Sequence, residues 1–250
     1  MNGASKIVEG RNRLKIPCFV IHFNRPTFLQ KCVDALAIEE RLQIIVIDNA
    51  SSFDALNRFQ NAHKVQVVRM RQNYGHTVPW EPGFQNYVTE TFGIDFSQPY
   101  IVTDCDIVVP KHMSWLDILL EGMRRETLAK YNKFGLGLNI ANIPTWYPHR
   151  KEVIRHETEV VHRRGINDHS FIEMPVDTTL ALYRGGYNKY SIWGNDSRLQ
   201  FTGECLSLRT EGPYEATHLT WHMTKEELAG EEHRNYCKTS KPGSVFWSAK

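Results

Sequence analysis

Four short apolar runs, each closing on a polar cluster, constrain this chain more than any other feature. Ile16 to Phe23 leads into His22-Phe23-Asn24-Arg25, and Ile44 to Ile47 into Asp48-Asn49. Val65 to Val68 precedes Arg71-Gln72-Asn73, and Tyr100 to Thr103 closes on Asp104-Cys105-Asp106. Short runs rich in Val and Ile read as strands buried on both faces. Between them, Pro26 suits a first helical turn, and Phe28, Leu29, Cys32, Val33 and Leu36 recur at helical spacing. Ala55 to Ala62 predicts a short helix and Gly83 to Thr91 another, with a Gly/Pro-punctuated loop from Arg71 to Pro82. Strands alternating with helices imply βαβ units in a mainly parallel sheet, and such sheets bind ligands outside the carboxyl ends of their strands. The four polar clusters fall on that rim. Each alone suits a turn; converging, they read as a site.

Asp104 and Asp106 stand between the apolar stretches Ile101-Val102 and Ile107-Val108-Val109, where solvated loop charges are not expected. Carboxylates this close repel, and each raises the pKa of the other. A divalent cation held by hard oxygen ligands relieves the repulsion and would bind a diphosphate at the sheet edge. The residues alone leave this reading open against a strand-end turn. Cys105 reads as a small filler held by the strand.

The second half is less periodic. Ser114 with Asp117 resembles a capping box ahead of a helix running to about Lys130. Phe134 to Ile140 predicts a strand, His149 to Arg163 a polar helix, and Gly185 to Ser207 mixed strand and loop. Thr224-Lys225-Glu226-Glu227 starts a charged helix, and the tail from Thr239 is polar. His156 and His162 are six residues apart, not the four that a helical metal pair needs, so both read as polar helix residues.

Bulk composition excludes several classes. At 41% hydrophobic and 23% charged residues the chain affords a core and is not disordered, and a net charge of +2 does not suit a nucleic-acid binder. No apolar run reaches the ~18–20 residues of a membrane span, and the polar stretch Met1 to Lys15 has no apolar signal core. Five widely spaced cysteines without a C-x-x-C suggest neither a disulfide framework nor a structural zinc site, hence a reduced, cytoplasmic protein.

Taken in order, Phe19 to Arg25, Val46 to Ser52, Arg71-Gln72-Asn73-Tyr74-Gly75 and Thr103 to Asp106 resemble the GT-A-fold glycosyltransferases of the family 2 type. The resemblance covers about the first 110 residues, and continues loosely through Pro175 to Thr179 and His218 to Trp221. It implies an α/β fold with a mainly parallel central sheet flanked by helices and a smaller mixed sheet on the acceptor side. Residues 1–110 would form the nucleotide-binding half, 111–238 the acceptor-binding half and 239–250 a tail of one catalytic domain. The implied activity is a metal-dependent, inverting transfer of a hexosyl or pentosyl group from a UDP, GDP or dTDP sugar to a glycan or glycoconjugate hydroxyl.

Residue by residue, the resemblance puts Phe23, Asn24 and Arg25 in the nucleotide pocket and Asp48 on the base or ribose, with Asn49 and Ser51 shaping that wall. Arg71 and Asn73 would lie near the nucleotide or diphosphate. Asp104 would face the sugar or ribose beside Cys105, and Asp104 and Asp106 would hold Mn²⁺ or Mg²⁺, with His218 as a further ligand and His222 as its rival. An Asp/His set tilts toward Mn²⁺. Asp177 is the candidate base and Glu173 its alternative. Plainer readings stand beside these: a strand-end turn for Asp48, a local cap for Asp177, a core position for His218. Trp80, Trp146, Tyr147 and Trp193 would either stack on sugar rings or pack in the core. Nucleotidyl transfer on sugar phosphates is an alternative activity, although His22 to Pro26 lacks the glycine-rich basic loop it would want. A non-catalytic sugar-nucleotide-binding domain is another.

Overall fold

The computed structural model describes residues 15–52, 58–60, 62–111, 114–161, 163–187 and 205–240. Residues 55–57 and 61 of the expected Ala55 to Ala62 helix, together with Trp193, His162 and the tail beyond Ser240, lie outside the described residues.

The first half follows the expected alternation. Strand β1 (Ile16–His22) leads to helix α1 (Pro26–Leu36), then β2 (Leu42–Asp48), β3 (Gln66–Arg69), α2 (Pro82–Phe92) and β4 (Tyr100–Asp104). The strands pair in parallel, β1 lying between β2 and β4 with β3 outside β2. Because side chains alternate across a strand, each strand feeds two cores. Cys18, Val20, Ile44, Val46 and Ile101 pack on α1, and Phe19, Ile21, Ile45, Ile47 and Val102 pack on Phe84 and Val88 of α2. Both faces are covered, which is why these strands read as unbroken apolar runs. Helix α1 begins on Pro26, whose missing N–H costs nothing there, and buries Phe28, Leu29, Cys32, Val33 and Leu36. The expected loop after Arg71 contains a 3₁₀ segment, Gly75–Trp80.

The second half is built from shorter pieces: β5 (Ile107–Val108), α3 (Trp115–Arg124), β6 (Lys133–Gly135), β7 (Gly137–Leu138), α4 (Arg150–Arg155), β8 (Arg164–Gly165), β9 (Phe171–Glu173), β10 (Ala181–Tyr183), β11 (Ser207–Thr210), β12 (Glu215–His218), α5 (Lys225–Leu228) and α6 (Glu231–Thr239). Among the described residues, the main sheet runs β3-β2-β1-β4-β10-β6-β11-β9-β8, and a smaller sheet runs β5-β12-β7. Strand β10 enters antiparallel to β4, so the sheet changes from parallel to mixed there.

Three expectations change. Helix α3 stops at Arg124, and Ser114 makes no side-chain capping bond, because Asp117 is drawn instead to Arg41 at 2.5 Å. The strand expected over Phe134 to Ile140 divides into β6 and β7, which join different sheets. The crossing is close at both glycines: a Cβ on Gly135 would lie 2.8 Å from Val176, and one on Gly137 2.6 Å from the Thr210 carbonyl. The helix expected over His149 to Arg163 is the short α4 running into a π-turn at His156–Val160.

Candidate active site

Registers deliver the acidic pair to its neighbours. Asp104 is the last residue of β4, and its N–H donates to the Thr178 carbonyl at 2.7 Å because β10 pairs with β4. The Thr178 hydroxyl returns a bond to Asp104 Oδ2 at 2.7 Å. Pairing of β5 with β12 sets His218 opposite Ile107, and the Leu219 N–H donates to the Asp106 carbonyl at 2.7 Å. Residues far apart in sequence thus meet around a cavity of about 460 Å³, within the roughly 300–1,000 Å³ usual for small-molecule sites.

The two carboxyls differ sharply. Burial, then repulsion from Asp106, pushes Asp104 well above the usual carboxylate range. Burial also opposes ionisation of Asp106, but the nearby His218 and Arg25 charges and the Thr220 hydroxyl outweigh it and hold that group low. Its Oδ2 accepts from Arg25 Nη1 at 2.9 Å and from the Thr220 hydroxyl at 2.5 Å, with His218 Nδ1 at 3.6 Å. The Arg25 guanidinium lies 3.9 Å from the Tyr236 ring and 4.6 Å from the Phe28 ring, a favourable stacking for a desolvated cation. Burial pushes the His218 imidazole below its ordinary value, and its ring stacks on Trp221 at 4.4 Å.

The residues from β1 and β2 form a tight floor. His22 and Asp48 are paired in the sheet, with Nδ1 3.3 Å from Asp48 Oδ1. His22 Nε2 accepts the Arg25 N–H at 3.2 Å, so the ring proton sits on Nδ1, facing the carboxylate. Burial opposes the charge on Asp48, yet the contacts with His22 and Ser51 hold it below the usual carboxylate range. Asn24 and Ala50, just past these strands, both adopt positive φ; for alanine this is a strained conformation, of the kind found near ligand sites. Asn49 turns its amide to Asn73 Oδ1 at 2.9 Å and the Gly75 carbonyl at 2.8 Å, tying the strand ends to the loop before α2.

A glycosyl transferase family 2 model matches residues 18–135, which run from β1 through β6. Over that stretch the chain is similar to the family 2 glycosyltransferases, and its mixed α/β architecture is that of a GT-A fold. No curated protein matches the chain.

The fold gathers most of the predicted site residues on one cavity. Phe23, Arg25, Asn49, Asn73, Asp104, Cys105, Asp106, Asp177 and His218 all line it. Asn24, Asp48 and Ser51 are buried behind that wall: the Ser51 hydroxyl accepts the Asn24 N–H at 3.0 Å, and its own N–H donates to Asp48 at 3.3 Å. They support the wall instead of facing the cavity. Arg71 is exposed and off the cavity, because Asn73 and Tyr74, not Arg71, are turned inward by Asn49. Glu173 is elsewhere, buried on β9 with its carboxylate held by Tyr131 at 2.8 Å and Arg164 at 2.6 Å. His222 contacts the Asn139 carbonyl at 3.1 Å and does not line the cavity. Nor do Trp80, Trp146 or Tyr147; the aromatic wall comes from Phe23, Trp221 and Tyr236.

Sequence reasoning missed a second buried pair in the cavity. Arg209 Nη1 donates to Glu157 at 2.8 Å, and its Nε donates to the Pro175 carbonyl at 2.7 Å. Lys133, also buried, donates to the Val176 carbonyl. Burial, the main cause, pulls its ammonium from near 10.5 to about 7. Three carbonyls around exposed Asp177, those of Pro175, Val176 and Thr178, are therefore fixed. The available signal was a charge within a short apolar stretch: Arg209 in Leu208-Arg209-Thr210 and Lys133 ahead of Phe134. His156, read as an ordinary helix residue, and Glu157 reach the cavity from the π-turn, a local geometry frequent at functional sites.

Among the described residues no three His, Cys, Asp or Glu side chains stand close enough to grip an ion as they lie. The donor chemistry nevertheless suits a divalent ion: two carboxylates and an imidazole border one cavity, and His218 Nδ1 is buried without a hydrogen-bond partner. What stands at Asp106 in their place is the Arg25 guanidinium.

Proposed function

We propose that the chain transfers a hexosyl or pentosyl group from a nucleoside-diphosphate sugar to a glycan hydroxyl, with inversion at the anomeric carbon. The observation that carries this reading is the mounting of Asp177: an exposed carboxylate on the acid-pair cavity, on a segment bonded twice to Asp104 through Thr178. Asp177 accepts the acceptor hydroxyl's proton as the oxygen attacks the anomeric carbon. The bond from that carbon to the diphosphate oxygen breaks, and the nucleoside diphosphate departs with the electron pair. Arg25 and the N-terminal end of α1 face the donor side, while Phe23, Asn49 and Asn73 supply apolar and amide contacts. Asp104, Asp106 and His218 are the residues that would hold Mn²⁺ or Mg²⁺. Such an ion, when bound, neutralises charge on the leaving diphosphate as a Lewis acid.

The test is calorimetric titration with UDP, GDP and dTDP, each with and without Mn²⁺, followed by assay of diphosphate release from the matching sugar nucleotides. Binding of one nucleotide, and its release from the sugar, is expected. Failure of all three nucleotides to bind under either condition overturns the reading.

A further inference from the structure

Arg25 is 3% exposed, clasped between Phe28 and Tyr236, and its Nη1 shares Asp106 Oδ2 with the Thr220 hydroxyl. Nη1 also donates to that hydroxyl at 2.5 Å, so guanidinium, hydroxyl and carboxylate form a closed ring of bonds. The other terminal nitrogen, Nη2, is buried with no hydrogen-bond partner. A buried unpaired donor on a cation is costly, and Arg25 borders the cavity where a diphosphate would lie. Two facts therefore meet on one side chain. It occupies one oxygen of a carboxylate that would ligate a metal, and it holds a spare donor suited to a phosphate oxygen.

We propose that Arg25 is an exchangeable counter-cation: it neutralises Asp106 in the free protein and moves its hydrogen bonds to the entering diphosphate, releasing Asp106 to a divalent ion. This rests on the reading that the cavity takes a nucleoside diphosphate. The free protein is then a poor metal binder, because any ion must displace a guanidinium already seated on Asp106. Nucleotide and metal binding reinforce each other, and by linkage the reinforcement is reciprocal. The Phe28 and Tyr236 rings hold the guanidinium at the cavity wall beside Asp106.

The test is titration of Mn²⁺ into nucleotide-free protein, wild type beside Arg25→Gln, read by calorimetry. The glutamine variant should bind Mn²⁺ about tenfold more tightly, within the 5–150-fold range usual for coupled sites. Equal or weaker binding by the variant, or no Mn²⁺ binding by either protein, overturns the exchange. If Arg25→Gln does not fold, Tyr236→Leu removes one face of the clasp while keeping both charges. It should shift Mn²⁺ affinity in the same direction by a smaller factor, and no shift overturns the proposal. Repeating the titration in saturating UDP, GDP or dTDP should tighten Mn²⁺ binding more in the wild type than in Arg25→Gln. Nucleotide binding with unaltered metal affinity in the variant sinks the exchange alone. No nucleotide binding in either protein sinks both it and the transferase reading.

Discussion

Two buried arginine–carboxylate pairs border the same cavity, and they are bonded differently. Arg209 gives its donors to Glu157 and to the Pro175 carbonyl; it is a strand residue of β11, bonded on to the segment that carries Asp177. Arg25, at the entrance to α1, is held by rings, gives Nη1 to Asp106 and Thr220, and leaves Nη2 unpaired. A buried ion pair is weak evidence for stability, because desolvation offsets attraction. What separates the two is where the remaining donors go: to the backbone for Arg209, to no hydrogen-bond partner for Nη2 of Arg25. On the proposed reading, one pair would hold the segment that carries Asp177, and the other would meet the charge of the leaving diphosphate.

The largest effect should come from what the Arg209 side holds in place. Asp177→Asn keeps the shape and removes the proton acceptor, so kcat for transfer should fall about 10²–10⁴-fold. Donor KM should stay near the wild-type value. Steady-state kinetics check this, and an unchanged kcat would remove Asp177 from the base role.

Next is the contrast between the arginines themselves. Arg209→Met leaves Glu157 buried and uncompensated and frees the Pro175 carbonyl, which should cost about 3–5 kcal/mol. Arg25→Met leaves Asp106 with Thr220 and His218, so the cost should be smaller, about 1–3 kcal/mol. Mn²⁺ should restore stability to the Arg25 variant and not to the Arg209 variant. Denaturant unfolding with and without the ion measures both, and equal rescue would erase the distinction drawn between the pairs.

The same difference explains what could be read in the sequence. Strands β1, β2 and β4 are buried on both faces by one side chain in two, so their pattern is continuous and their polar ends stand out. Asp104, Asp106, Arg25 and Asn49 were visible for that reason. Beyond β4 the strands among the described residues are two to four residues long, too short to show a period. Arg209 and Lys133 are placed by pairing between β6, β10 and β11, which no local spacing encodes, and Glu157 reaches Arg209 from the π-turn. Asp177 and His218 were put forward through resemblance, and their neighbours come from the registers that set Thr178 beside Asp104 and His218 beside Ile107. Asp48 shows the converse: it was legible as a polar strand end, but only the fold shows it sealed beneath His22 and Ser51.

Lys133 offers a pH test of the rigid side. Its folded value of about 7 lies below the ordinary 10.5, so between these values the unfolded chain binds the extra proton. The stability contributed is fully present above the unfolded value and is lost as pH falls toward 7. The buried cysteines act oppositely: burial pushes the Cys18, Cys32, Cys105 and Cys205 thiols up, so their contribution falls as pH rises. Comparing wild type with Lys133→Met cancels that background. The wild type should gain at least about 1.4 kcal/mol on the variant between pH 7 and 10, the equivalent of one pKa unit. Parallel stability curves would show that Lys133 is not held neutral by the fold.

The smallest effect should come from Thr178→Val, and it asks whether the two sides of the cavity are joined. The substitution removes the 2.7 Å hydroxyl bond to Asp104 Oδ2 but keeps the Asp104 N–H bond to the Thr178 carbonyl. The Arg209 and Lys133 bonds to Pro175 and Val176 also remain. With most of the mounting intact, the cost should be about 0.5–1.5 kcal/mol, the net worth of one hydrogen bond. Thr178→Ser, which keeps the hydroxyl, should recover most of it. Because Asp104 loses a donor that favours its ionised form, the carboxyl should become harder to ionise and Mn²⁺ affinity should weaken together with kcat. If kcat falls while Mn²⁺ affinity holds, Thr178 serves only to place Asp177. If both hold, the base segment and the acid pair are positioned independently, and the coupling between the two walls rests on the backbone alone.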